Sequence, residues 1–167
     1  RGDRRAVAVH DDDRHALLLQ ALDPVAEGTG VEPAGTADRD PRAIELTFDA
    51  DQPMIINADG FRLRQAVDNL LSNAIKYTLR GGSVHVTLRR DHGDAVLAVR
   101  DTGIGISPDD LPHVFRPYFR AGTATTGGFA GTGLGMSIVR TIVEENQGAI
   151  GIESTLGFGT TTTITLP

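Results

Sequence analysis

The chain has 167 residues, of which 40% are hydrophobic and 23% charged, so it can form one domain with a hydrophobic core but is short for two. It contains no cysteine, which excludes disulfide scaffolds, thiolate metal sites and cysteine nucleophiles. The net charge of −6 is mixed in sign along the chain, and no basic cluster is interleaved with aromatic residues, so we expect no nucleic-acid-binding face.

The first third of the chain predicts a helix, a long loop and two strands. Its basic start lacks the apolar core of a signal peptide, so it is either an expression scar or the tail of an upstream segment. Leucines and alanines cluster on one side of residues 13–26, which predicts a helix, whereas residues 28–42 are rich in Gly, Pro, Thr and Asp and predict a loop. Alternation predicts a strand over residues 43–49, and residues 53–57 predict a short second one.

A long helix is predicted over residues 60–78, with the side chain of Asp59 as its N-terminal cap. At about 100° per residue, Asn69, Asn73 and Lys76 fall within roughly 60° of one another. The opposite side is apolar and consists of Leu63, Val67, Leu70, Leu71, Ala74 and Ile75.

The second half predicts strands over residues 83–90 and 95–99, the latter central, then an irregular segment over 107–130. A helix from residue 132 or 133 to 146, closed by Gly148, and a hairpin over 149–154 and 160–166 follow. Hairpins outnumber parallel crossovers. We therefore predict a single domain over residues 1–167 with its core in 43–167: an α+β two-layer sandwich, whose mixed, mostly antiparallel sheet carries helices on one face.

Several groups of residues predict a nucleotide site. Carboxamide oxygens suit Mg²⁺, a lysine suits phosphate, and Tyr77 at the edge of the polar stripe could lie against a base, although a merely solvated helix face is the alternative. A carboxylate only accepts hydrogen bonds, so Asp101 at a strand end would favour the amino group of adenine over the carbonyl of guanine, unless Asp101 and Gly103 merely form a turn.

A second glycine-rich stretch, residues 131–137, precedes a helix and predicts a phosphate site, but it fits neither the dinucleotide fingerprint nor a Walker A loop. Before it lies a Gly-, Thr- and Ala-rich segment, residues 121–130, which we call the lid and expect to be mobile. Arg120 could reach a terminal phosphate or could be solvated. Phe115, Tyr118 and Phe119 would hold the start of the lid or simply pack in the core.

The order of these motifs resembles the N, G1, F, G2 and G3 boxes of histidine kinase catalytic domains, in the GHKL ATPase superfamily. The resemblance runs from about Asp59 to Pro167 and implies a Bergerat-type fold that holds ATP between the long helix and the lid. It implies that Asn73 ligates Mg²⁺, that Tyr77 and Asp101 bind adenine, and that catalysis involves Asn69, Lys76 and Arg120 at the phosphates. It completes the nucleotide site with Gly103, Gly105, Ile106, Phe115, Gly131, Thr132, Gly133, Leu134, Gly135 and Thr160.

The resemblance also implies what the chain lacks. None of its five histidines lies in the phosphoacceptor pattern of the family, so the acceptor histidine is expected on a separate dimerisation domain, with a response regulator downstream. The F box departs from the family, with Tyr118-Phe119 in reversed order and Arg116 in place of an acidic residue. We expect a monomeric cytoplasmic domain of a homodimeric, membrane-anchored sensor kinase that functions in a phosphorelay.

Two alternatives remain open, an anti-sigma-factor-like serine kinase of the same superfamily and a non-catalytic ATP sensor. The hydrolytic members of the superfamily carry a glutamate one turn before the metal-binding asparagine, where this chain has Asn69. An amide cannot take a proton, so we expect slow ATP hydrolysis at most. A ligand-free α+β domain would require all five motifs to coincide in order by chance.

Overall fold

The computed structural model describes residues 5–9, 44–50 and 56–167. The predicted helix over residues 13–26 and the loop over 28–42 lie outside them, as does most of the short strand predicted over 53–57, whose last two residues are described and are not in a strand. No helix in the described ranges is long and apolar enough to cross a membrane.

Six strands form one sheet in the order β1-β2-β3-β4-β6-β5. Strand β2 pairs with β3 in parallel, and every other pair is antiparallel. The strands are β1 (Arg5–Val9), β2 (Ile44–Ala50), β3 (Ser83–Asp91), β4 (Asp94–Asp101), β5 (Ala149–Thr155) and β6 (Gly159–Leu166). The mixed, mostly antiparallel sheet and the central position of β4 were predicted correctly, whereas β1 was not predicted at all.

The helices are α1 (Gly60–Tyr77), α2 (Gly122–Thr126) and α3 (Gly135–Glu145), with a 3₁₀ turn at Leu111–His113. The Asp59 carboxylate accepts hydrogen bonds from the backbone N–H groups of Phe61 and Arg62, at 2.9 and 3.2 Å, and so caps α1 as predicted. Helices α1 and α3 pack on each other and on one face of the sheet.

The core lies between this helical layer and the sheet. Strand register determines which residues of the sheet face this core. Phe48, Val86 and Val99 are paired across β2, β3 and β4 and therefore point to the same face. The opposite face carries the row Thr47, His85, Arg100, Thr161 and Glu153. The largest fully buried side chains are Leu71, Val84, Val139, Ile142, Val143 and Ile164.

Candidate nucleotide-binding site

A cleft of about 250 Å³ lies between the polar side of α1, the ends of β4 and β6, and the lid. Most of the residues predicted for the nucleotide site line it. They are Asn69, Asn73, Lys76, Tyr77, Asp101, Gly105, Ile106, Arg120, Gly131, Thr132, Gly133, Gly135 and Thr160.

Three predicted site residues do not line the cleft. Gly103 lies behind Asp101 and donates its N–H to Asp101 Oδ1 at 2.8 Å. The ring of Phe115 lies on α3, 5.8 Å from the guanidinium of Arg140. Leu134 precedes α3, and its carbonyl accepts hydrogen bonds from the first turn of that helix. The three residues therefore contact Asp101 or α3 instead of lining the cleft.

Sequence reasoning missed the apolar half of the cleft. Val99 and Ile152 come from different strands, so only the strand order brings them together. Thr162 carried a signal, because it lies two residues after Thr160 on one strand and must share its face. The other unpredicted lining residues are Leu70, Ala74, Ile104, Val114, Phe119, Ala121, Thr123, Ala124 and Met136.

One end of the cleft is built around Asp101, a residue that is only 8% exposed. Its Oδ1 accepts the backbone N–H groups of Gly103, at 2.8 Å, and Thr160, at 3.2 Å. Burial raises the pKa of Asp101, and these two hydrogen bonds oppose the increase without cancelling it. Within the described ranges no donor reaches Oδ2, so this oxygen is available to a donor in the cleft.

Close backbone packing holds Asp101 in this position. A Cβ atom on Gly103 would clash with the carbonyl of Tyr77, and one on Gly159 would clash with the carbonyl of Asp101 itself. The N–H of Ile104 donates to the Tyr77 carbonyl at 3.0 Å, which joins the loop after β4 to the end of α1. These glycines permit backbone packing around the carboxylate rather than contact with a ligand.

The polar stripe of α1, which consists of Asn69, Asn73 and Lys76, lies at the other end of the cleft. A Cβ atom on Gly135 would lie 3.5 Å from both Asn69 Oδ1 and Asn73 Nδ2, so both carboxamides meet the N-terminus of α3. Lys76 Nζ reaches the loop before α3, because it lies 2.6 Å from the position of a Cβ on Gly131. An ammonium and a helix N-terminus thus adjoin here, and both favour a negatively charged ligand.

The lid contains regular structure that its composition did not predict. Helix α2 ends in a Schellman motif, in which the N–H of Phe129 donates to the Ala124 carbonyl and that of Gly128 to the Thr125 carbonyl. Gly128 has φ +72°, the left-handed conformation that this motif requires. The lid therefore has a defined turn whose last residue, Phe129, is directed back toward α1.

The polar end of the cleft offers oxygen ligands that could hold a metal ion. The described ranges contain no group of three or more His, Asp or Glu side chains able to hold one. The side-chain amide oxygens of Asn69 and Asn73 are candidate metal ligands at the polar end of the cleft. Mg²⁺ keeps several waters and takes phosphate oxygens with one or two protein ligands, so this donor set fits a phosphate-bound Mg²⁺.

Comparison with known families identifies this architecture. The family described as histidine kinase-, DNA gyrase B- and HSP90-like ATPases matches residues 58–167, which include α1, the lid and the final hairpin. The chain belongs to this ATPase family. The match covers both ends of the cleft, so the Asp101 pocket and the Asn69–Asn73 stripe lie in a domain of an ATP-binding type.

Two curated relatives that the chain resembles are named as a histidine protein kinase and a sensor protein. Histidine protein kinase DivJ of Caulobacter vibrioides is 48% identical over 112 residues, or 67% of this chain and 19% of DivJ. Sensor protein SrrB of Staphylococcus aureus is 37% identical over 128 residues, or 77% of this chain and 22% of SrrB. The chain therefore spans about a fifth of the length of these relatives.

Solved structures of the family agree with the fold. The mycobacterial sensor histidine kinase MprB is 35% identical with a TM-score of 0.67, and the match covers 74% of this chain and 83% of that one. Full-length ShkA, in complex with AMPPNP, is 32% identical with a TM-score of 0.64, covering 74% of this chain and 25% of ShkA. The chain is thus a catalytic domain of the histidine kinase type.

Proposed function

We propose that this domain binds Mg-ATP in the cleft and donates the γ-phosphate to a histidine on a separate dimerisation and phosphoacceptor domain. The main support for the proposal is that the two ends of the cleft differ in chemistry. The Asp101 acceptor lies at one end, and the amides, the Lys76 ammonium and the N-terminus of α3 lie at the other. That arrangement matches a ligand with a base at one end and phosphates at the other.

At the base end, the specificity would follow from hydrogen-bond chemistry. Asp101 Oδ1 already accepts two backbone N–H groups, so Oδ2 would be the acceptor for the ligand. Adenine offers an amino group to it, whereas guanine would set a carbonyl oxygen against it. The apolar residues Val99, Ile104 and Ile152 would cover the faces of the ring.

At the phosphate end, this chain supplies positive charge and neutral oxygen donors. Lys76 and Arg120 line the cleft and would contact the phosphates, with the first N–H groups of α3 beside them. Asn73 would ligate the Mg²⁺ and Asn69 would contact the metal shell or phosphate. Bound there, Mg²⁺ would neutralise charge that develops during phosphoryl transfer.

Transfer rather than hydrolysis is favoured because the described residues that line the cleft offer no base near the proposed phosphate position. Among the described residues that line the cleft, Asp101 is the one carboxylate, and it lies at the base end. Asp68 is next to Asn69 in sequence but does not line the cleft. Because no described lining residue could accept a proton from water near the phosphates, we expect the nucleophile to come from another domain.

The remaining features of the proposal concern the whole protein. By analogy with sensor kinases such as DivJ and SrrB, we expect a homodimeric, membrane-anchored kinase whose phosphohistidine is passed to a response regulator. The structure of full-length ShkA in complex with AMPPNP supports a nucleotide as the ligand of this type of domain. The catalytic domain itself would work on the cytoplasmic side, where ATP is available.

The test is a transfer reaction. The domain is incubated with Mg²⁺, γ-labelled ATP and a high concentration of phosphoacceptor domain, with its acceptor histidine intact or replaced by glutamine. Acid-labile label that requires the histidine supports the proposal. Acid-stable label on a serine would favour the serine kinase alternative, and tight ATP binding without any label would favour the ATP sensor.

A further inference from the structure

Phe129, at the end of the lid, contacts two residues that line the cleft, although it does not line the cleft itself. Its ring meets the ring of Tyr77 edge to face, with centroids 5.3 Å apart at an interplanar angle of 63°. Its carbonyl accepts a hydrogen bond from Arg120 Nη2. One lid residue is thus joined to α1 by its side chain and to the proposed phosphate-binding arginine by its backbone.

The local backbone fixes Phe129 in this place. Its N–H donates to the Ala124 carbonyl at 3.2 Å, as the last hydrogen bond of the Schellman motif. A Cβ atom on Gly127 would lie 2.7 Å from the Phe129 ring, so glycine at that position leaves room for it. Gly128, at φ +72°, turns the chain so that the ring and the carbonyl reach different partners.

Both partners of Phe129 are connected to the proposed phosphate end, Arg120 directly and Tyr77, which is predicted to bind adenine, through Lys76. Lys76 Nζ donates to the Tyr77 hydroxyl at 3.0 Å and lies 4.5 Å from the Tyr77 ring centroid. Arg120 has five N–H donors, and one is bonded to Phe129, which leaves the others for a ligand. A guanidinium with one fixed hydrogen bond loses less conformational freedom when it binds phosphate than a free one.

We propose that Phe129 is a positioning residue of the nucleotide site, which holds Arg120 at the cleft wall through its carbonyl and holds the lid on α1 through its ring. This inference rests on the proposed function. Its consequence is selective, because Arg120 would meet the terminal phosphate and Asp101 would meet the base. Phe129 should therefore affect the preference for ATP over ADP and leave the preference for adenine unchanged.

The test uses Phe129→Ala, with Phe61→Ala as the matched control, since Phe61 is 80% exposed and does not line the cleft. Affinities for ATP, ADP and GTP are measured by calorimetry. Phe129→Ala keeps the backbone carbonyl but removes the ring that holds it in place, so the ATP-over-ADP preference should fall about tenfold, as expected if Arg120 loses one charge-assisted hydrogen bond to the terminal phosphate. Arg120→Ala should do the same, and the double variant should add little to either. Phe129→Tyr, which keeps the ring, should restore the preference.

A spectroscopic measurement tests the contact without nucleotide. The chain has no tryptophan and two tyrosines, so Tyr118→Phe leaves Tyr77 as the one fluorophore. In that background, Phe129→Ala and Gly128→Ala, which strains the Schellman turn, should both raise iodide quenching of Tyr77 emission.

Unchanged quenching in both variants, or an unchanged ATP-over-ADP preference in Phe129→Ala, would overturn the inference. Failure of the wild-type chain to bind any nucleotide would instead overturn the proposed function, and the positioning role with it.

Discussion

At the scale of single residues, Asp101 is a buried carboxylate that opposes folding at neutral pH. Burial raises its pKa in the folded chain above the ordinary value of 3.8, so the folded state takes up the proton more readily than the unfolded state. The stabilisation linked to this proton is complete below 3.8 and is lost as the pH rises through the folded-state pKa. At pH 7 the charge is kept at a cost in stability, which suggests that a ligand requires it.

Asp101→Asn should therefore separate stability from recognition. The amide oxygen can still accept the N–H groups of Gly103 and Thr160, and the buried charge is removed, so urea unfolding at pH 7 should show a free energy of unfolding no lower than that of the wild type. Any gain in the free energy of unfolding over the wild type should become smaller as the pH is lowered toward 3.8. The amide nitrogen would face the adenine amino group, so the preference for ATP over GTP should fall. A destabilised variant that still prefers ATP would contradict this account.

Asn73 is the residue on which the metal assignment depends. Asn73→Asp adds a negative charge beside the phosphates, so ATP affinity at low Mg²⁺ should fall about tenfold or more, and binding should become more dependent on Mg²⁺. Asn57→Asp makes the same charge change at an exposed position that does not line the cleft. The measurement is calorimetric titration of ATP at several Mg²⁺ concentrations, and equal Mg²⁺ dependence in both variants would refute the assignment.

At the scale of elements, the end of α3 differs from its prediction in one instructive way. The predicted terminator was Gly148, but the left-handed residue is Gln147, with φ +58°. The N–H groups of Gln147 and Gly148 donate to the carbonyls of Glu144 and Val143, which completes a Schellman motif. Gly148 is a glycine for another reason, because a Cβ atom there would clash with the Thr165 carbonyl.

Gln147→Gly should therefore stabilise the domain. A residue with a side chain destabilises the folded state by about 1–2 kcal/mol when it adopts the left-handed conformation. Glycine removes this strain, but its greater flexibility in the unfolded state offsets part of the gain. We expect a gain of about 1 kcal/mol and a rise in Tm of about 2–4 °C for a chain of this size. Gly148→Ala, next to it, should lower Tm. Thermal unfolding of both variants decides the matter, and a lower Tm for Gln147→Gly would show that its side chain makes a contact worth more than the strain.

The lid shows where local sequence patterns cease to be informative. Helix α2 has only five residues, which is less than two turns, so periodicity cannot reveal it. The sequence Gly127-Gly128-Phe129 does carry the signature of a Schellman motif followed by an apolar residue, but that signature is recognised only when a helix is already expected before it. Phe129 was consequently not among the predicted site residues.

At the scale of the whole molecule, prediction succeeded where one segment carries both its structure and its chemistry. The α1 pattern predicted a buried stripe and a polar stripe on one helix, and the core and the cleft contain them. The pairing of β4 with β6 could not be read from the chain, because it depends on long-range contacts, whereas the β5–β6 hairpin was predicted. Val99 and Ile152, which both pair with Thr162 of β6, were missed as cleft residues for that reason. The pairing of β1 with β2 was missed because β1 itself was not predicted.

The fold and the cleft share residues, so ligand binding and folding should be strongly linked. Leu70 and Ala74 belong to the core and also line the cleft. A ligand that binds only the folded state stabilises it by about 2.7 kcal/mol at one hundred times its dissociation constant. Nucleotide specificity can therefore be observed as a difference in Tm on the unmodified chain.

The most direct test of the account is thermal unfolding with Mg-ATP, with Mg-GTP and without nucleotide. We expect Mg-ATP at millimolar concentration to raise Tm by several degrees and Mg-GTP to raise it little, because Asp101 would accept a hydrogen bond from adenine and oppose the carbonyl of guanine. Equal shifts with both nucleotides would contradict the role of Asp101. The absence of a shift with either would contradict the proposal that this cleft binds ATP.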